Sequence, residues 1–227
     1  MKLKFSTLCL GLIIGFNNET LFYDITFMGI NAGEAILSIK KDTLNNSEIY
    51  HLNSITKTNW LVDNLYKIRD NVDILFNQAD FSTIEVIKKI NQNGKKKLFK
   101  SKINYDSLNA ISNTKKIKIP GIVFDPLSSI YYLRSQNIKI SDIFEFTTYD
   151  NDKLKDVRVI AKTIEKISSP IGTYECIVII PESKNGKLLR NKGSMKIWFS
   201  NDYLKIPIRI ENITKNGKMT MLLKNIK

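Results

Sequence analysis

Through most of the 227-residue chain, apolar side chains fall on every second position, the period of a strand with one face covered. Leu21, Tyr23, Ile25 and Phe27 share one phase. Phe22, Asp24, Thr26 and Met28 share the other, which is apolar enough to predict cover on both faces. Gly29-Ile30-Asn31-Ala32-Gly33 predicts a turn or bulge, followed by strands over residues 34–40 and 48–58. The pattern continues through 66–76, 82–90, 98–105 and 115–119, with Asn93-Gly94 as a type I′ hairpin turn and Ile84, Val86 and Lys88 on one face. Further strands are predicted at 144–149, 154–167, the Cys176 run, 194–200, 206–210 and 219–223, the last entered through Asn216-Gly217. Pro207 implies an edge strand or a bulge. Roughly ten strands without a βαβ rhythm predict a mainly β fold, one antiparallel sheet curled into a barrel or half-barrel.

One stretch breaks the period of two. Asp125 suits an N-cap, Pro126 suits the first helical position, and Leu127, Ile130, Tyr131 and Arg134 follow at i, i+3, i+4 and i+7. This predicts a helix over about 126–136, laid across the opening of the sheet and covering its apolar side. A short helical turn is predicted at Trp60 to Leu65.

Composition changes the picture mainly at the start. Met1-Lys2-Leu3-Lys4 is a basic lead, and Phe5 to Phe16 is an apolar run of signal-peptide length. Residues 1–18 therefore read as a signal peptide and 19–227 as a single β domain, exported to the periplasm or cell envelope. A buried first helix, an uncleaved anchor and lipid attachment at Cys9 are the alternatives. Removal of the leader leaves Cys176 alone, so no internal disulfide forms, and its apolar setting reads as a small buried hydrophobe. His51 is the only histidine, which excludes histidine triads and histidine-rich metal sites by inventory. The 35 basic and 22 acidic residues give a net charge of +13, almost all of it from lysine. Spread lysine without an arginine and aromatic patch argues against nucleic acid. The clusters at Lys95-Lys96-Lys97 and Lys115-Lys116 read as solvated hairpin ends, or as attraction to an anionic membrane surface.

Several segments together resemble one family. They are Tyr23-Asp24 with Gly29 and Ala32-Gly33-Glu34-Ala35, Tyr66 to Asp70, Asp125-Pro126-Leu127 through Arg134, and Pro170 to Tyr174. Ile197-Trp198-Phe199-Ser200 with Asp202 and Ile206-Pro207-Ile208 completes the set. In order and spacing they are similar to domain of unknown function 3108, a family of bacterial exported proteins, from about residue 19 to the C-terminus. The resemblance implies export and a mainly β fold, and by analogy of fold a lipoprotein-carrier-like shape. It implies no activity.

No catalytic residues, metal ligands or cofactor are expected. Arg134, at the end of the helix stripe, can hold the carboxylate or phosphate headgroup of an amphiphile, or form a structural ion pair with Asp70 or Asp24. Tyr131, Tyr132, Trp60, Tyr66 and Trp198 can line a ligand cavity, or belong to the core. The expected function is a non-enzymatic envelope protein holding an apolar or lipid-like ligand between sheet and helix. The alternative is a structural or assembly factor of the envelope acting through its surface.

Overall fold

The computed structural model describes residue 16 and residues 18–183, 194–215 and 217–227. The rest of the segment read as a leader, the loop around Asn185-Gly186 and Asn216 lie outside the described residues. Eight strands precede the long helix: β1 (Glu19–Phe27), β2 (Ile30–Leu44), β3 (Ser47–Thr58), β4 (Arg69–Asn77), β5 (Thr83–Gln92), β6 (Lys95–Asn104), β7 (Asn109–Ser112) and β8 (Lys116–Lys118). Six follow it: β9 (Ile143–Asp150), β10 (Lys153–Ser169), β11 (Gly172–Ser183), β12 (Ser194–Ser200), β13 (Pro207–Thr214) and β14 (Gly217–Ile226). A one-turn helix α1 (Trp60–Asp63) links β3 to β4, and α2 (Ser128–Arg134) stands between β8 and β9.

All fourteen strands form one antiparallel sheet in the order β8-β7-β6-β5-β4-β3-β2-β1-β14-β13-β12-β11-β10-β9. The chain thus makes two meanders, joined where β1 pairs with β14. Strand alternation predicts most of this. Only β7 has no counterpart among the predicted strands: at four residues it is too short to show a period, whereas the three-residue β8 falls within the strand predicted at 115–119. Asn93 and Gly94 both take positive φ, 51° and 80°, as a type I′ turn requires. Gly33 lies within β2 beside a register shift; a Cβ there would stand 2.2 Å from the Lys57 carbonyl oxygen on β3, so only glycine fits. Pro207 is not on an edge: β13 pairs on both sides, and the proline is taken up by a bulge against Phe199.

The sheet is not closed, since β8 and β9 do not pair. Its two halves are instead joined across the seam by residues 123–125. Thr83 N donates to Val123 O (3.0 Å), Asp125 N to Thr83 Oγ1 (2.6 Å), Phe124 N to Thr147 O (3.0 Å) and Tyr149 N to Phe124 O (2.9 Å). These bonds fasten β5 to β9 through a three-residue link. Phe99, Ile103, Ile119, Val123 and Tyr149 fill the space behind it.

The helix lies inside this curl. Tyr131 packs with β4 through Phe76, ring centroids 6.3 Å apart, while Ile130 and Leu133 pack with Val157, Val159, Ile177, Ile179 and Ile197 of β10–β12. Six of its seven residues are buried, so it is covered far beyond one amphipathic stripe. Ser128 and Ser129 tolerate this because their hydroxyls donate to the carbonyls of Asp125 (3.1 Å) and Pro126 (2.8 Å).

The seam has a pH signature. Burial pushes the phenols of Tyr105 and Tyr149 up to about 12 from the ordinary 10. A native value above the unfolded one gives stability that is complete below about pH 10 and lost as pH rises through about 12. Tyrosinate absorbance and melting temperature, followed together, should show these two phenols ionising with unfolding.

Candidate functional site

Asp125 holds the turn that leads into the helix, its Oδ1 accepting the Leu127 amide (2.9 Å) and its carbonyl accepting Ser129 N–H (2.9 Å), while the cap position itself falls at Leu127, which has no side-chain capping bond. The regular turns begin at Ser128, two residues later than the sequence predicts, and end at Arg134. That end carries a sealed charge pair. Arg134 Nη1 and Nη2 donate end-on to Glu19 Oε1 (2.7 Å) and Oε2 (2.9 Å), and Nε donates to Leu204 O (3.3 Å). Burial opposes the guanidinium charge, yet Glu19 outweighs it and holds Arg134 above its ordinary value. The partner is neither Asp70 nor Asp24. Asp70 accepts from Asn91 N and Gln92 Nε2, and Asp24 pairs with Lys224.

Over this pair lies an aromatic box. The Arg134 guanidinium sits 4.7 Å from the Phe16 ring centre and 5.1 Å from that of Tyr131. Phe16 meets Tyr131, Tyr50 and Phe81 edge-on, and its N–H donates to Tyr50 Oη (3.1 Å). In the intact chain the site that the sequence assigns to a ligand headgroup is therefore filled by Glu19 and by Phe16 of the segment read as a leader; without that segment Glu19 still occupies it.

An apolar cavity lies on the other side of the helix. It measures about 290 Å³ and runs between α2 and β9–β12. Ile130 and Leu133 form its helix wall, and Phe146, Val157, Ile179 and Ile197 its sheet wall. Ser129, Thr148, Asp150 and Lys155 supply polar groups. Behind Asp150 is a buried charge cluster joining the two sheet halves. Lys88 Nζ donates to Asp150 Oδ1 (2.7 Å) and stands 3.0 Å from Asp125 Oδ2, a charge contact without hydrogen-bond geometry. Burial pushes the Asp125 carboxyl up against the pull of Lys88. Burial likewise opposes the Lys88 charge, but Asp125 and Asp150 together hold it above its ordinary value.

Of the six candidate residues, the fold brings only Arg134 and Tyr131 together. Tyr132 is half-buried against Phe124 (4.8 Å) and Phe146 (5.6 Å), so it backs the cavity wall. Trp198 faces the other side of the sheet, since its neighbours Ile197 and Phe199 pack with the helix. There it donates to Glu165 Oε2 (2.8 Å) under the Arg209 guanidinium. Trp60 and Tyr66 are exposed at the β3–β4 connection, away from the cavity. The cavity walls escaped sequence reasoning because β9–β12 become neighbours of α2 only through sheet curl. Lys88 left a signal, a cation in the apolar phase of β5.

No curated protein matches the chain in sequence. Among solved structures, a β-barrel-like protein of domain of unknown function DUF1849 from Brucella abortus superposes with a TM-score of 0.65 at 9% identity, covering 94% of this chain and 98% of that one. A Bacteroides fragilis protein with a YmcC-like fold gives 0.41 at 9% identity, covering 94% and 97%. The Chlamydia trachomatis protein CT021 gives 0.41 at 7% identity, covering 96% and 90%. The Brucella likeness is one of fold alone. In sequence, residues 23–224 match the family described as protein of unknown function (DUF3108), and the chain belongs to that family.

Proposed function

We propose that this is an exported, non-enzymatic protein of the periplasm or cell envelope that holds the apolar part of an amphipathic molecule between α2 and β9–β12. The leader at residues 1–18 supports export. The observation that carries the binding reading is the cavity of about 290 Å³ with aliphatic and aromatic walls and a few polar groups. Small-molecule pockets run from roughly 300 to 1,000 Å³, so the space suits one acyl chain or a small amphiphile better than a two-chain lipid. Lys155 offers a cation to an anionic head, and Ser129 and Thr148 offer hydroxyls. Arg134 is committed to Glu19 and has no part in this reading.

The test uses parinaric acid, a polyene fatty acid that fluoresces on leaving water. The intact chain should bind it, and Met195→Trp, which fills the half-buried β12 wall of the cavity, should weaken binding at least about tenfold with the melting temperature little changed. Native mass spectrometry of protein from its own envelope should show a bound mass that this variant lacks. Absence of both signals defeats the proposal. A second reading, a structural or assembly factor of the envelope, draws on the exposed apolar side chains at the β1–β2 turn and α1.

A further inference from the structure

Independently of the cavity, we propose that one end of the sheet is a docking surface for an anionic lipid bilayer, with Trp60 and Leu65 as its inserting side chains. Antiparallel alternation sends the β1–β2 turn, the β3–β4 connection, and the β5–β6, β7–β8 and β13–β14 turns to the same end. Hydrogen bonds tie four of these into one rim. Asn59, the cap of α1, donates from its amide to Ala32 O and from its side chain to Asn31 O, holding α1 against the β1–β2 turn. Asn93 N donates to Lys67 O, which brings the β5–β6 turn beside the segment after α1. Met28 N donates to Lys218 O at the β13–β14 turn.

This rim exposes what a soluble protein ordinarily covers. Trp60 is 75% and Leu65 83% exposed, and Met28, Ile30, Leu61 and Tyr66 stand out with them. Single exposed apolar residues are ordinary, but a cluster confined to neighbouring turns marks a binding surface. Its charge identifies the occupant. Lys67, Lys95, Lys96, Lys97 and Lys215 are exposed around the apolar tips, and the exposed lysine of the β7–β8 turn, Lys115, points from the same end. Apolar tips fringed by lysine match a membrane interface, where tryptophan and leucine enter the acyl boundary and ammonium groups meet anionic headgroups. Asp63, the acid nearest the tips in sequence, is held by Arg69 and leaves the lysine fringe dominant. A bilayer explains both the apolar and the basic half of the surface.

The test uses the full-length chain, vesicles of phosphatidylcholine with phosphatidylglycerol, and vesicles of phosphatidylcholine alone. Tryptophan emission has two sources here, exposed Trp60 and Trp198, which is 3% exposed. Lipids brominated in their acyl chains should quench only the Trp60 component, and only when anionic lipid is present. Trp60→Ser combined with Leu65→Ser should lower partitioning at least about tenfold, and so should Lys95→Glu, Lys96→Glu and Lys97→Glu together. These side chains are at the surface, so circular dichroism should report an unchanged fold. Vesicle binding without quenching of Trp60 would place the contact elsewhere and overturn the proposal. So would full partitioning of the charge-reversed variant, or sedimentation showing that Trp60 is covered by a second copy.

Discussion

Replacing Glu19 by glutamine is expected to cost about 3–5 kcal/mol of stability, because it leaves the Arg134 charge buried with no counter-charge. The expected asymmetry is what makes the test specific. Arg134 is 1% exposed, whereas the Glu19 side chain keeps 16% of its surface in water. Arg134→Met should therefore cost clearly less, since the carboxylate left behind can hydrate and methionine can refill the space beneath Phe16 and Tyr131. The double variant should recover most of the loss, giving a coupling well above that of a surface pair. Urea midpoints of the four proteins measure this. A loss below about 1 kcal/mol for Glu19→Gln would mean that the guanidinium reaches water and the helix end is not sealed.

The second large effect belongs to the seam. Lys88→Met should cost a similar 3–5 kcal/mol near neutral pH, because Asp125, 1% exposed in its side chain, then faces Asp150 without a cation between them. Its pH dependence is predictable in sign. Burial already raises Asp125, and losing Lys88 raises it further. A native value above the unfolded one favours the native state once the proton is on, and that advantage disappears as pH rises through the native value. The deficit of Lys88→Met should accordingly shrink as pH falls toward 4, while Glu19→Gln shows no such recovery. Adding Asp125→Asn should relieve the variant at neutral pH. Melting curves across pH decide it, and a pH-independent deficit would indicate lost packing in place of lost charge balance.

Much of the fold is legible in the sequence because its cause is local. Leu21, Tyr23 and Ile25 alternate whether or not anything is known of their partners, and Asn93-Gly94 declares its turn through backbone sterics alone. The helix is legible in place but not in depth, since two adjacent serines read as a wet face until their hydroxyls turn back onto the chain. The candidate site is the least legible part. Arg134 is conspicuous as a cation closing an apolar stripe, but its partner is more than a hundred residues away on β1, and nearer acids in family-like segments compete for the assignment. The cavity walls carry ordinary valines and isoleucines, whose meaning depends on register and curl. Trp60 and Tyr66 are visible as aromatics, but only the hydrogen bonds of Asn59 show which turns they join.

The β1–β14 ladder has a consequence for chain order. Thr20 and Lys227 exchange backbone hydrogen bonds, Thr20 N to Lys227 O (2.7 Å) and Lys227 N to Thr20 O (2.9 Å). Every other ladder joins strands adjacent in sequence, so this one alone closes a loop the length of the domain and bears the largest closure entropy. A circularly permuted chain, begun at β9 and spliced from Lys227 to Glu19, would run through the whole sheet as a single unbroken up-and-down ribbon. The natural order instead delays the central suture until the last strand has been made.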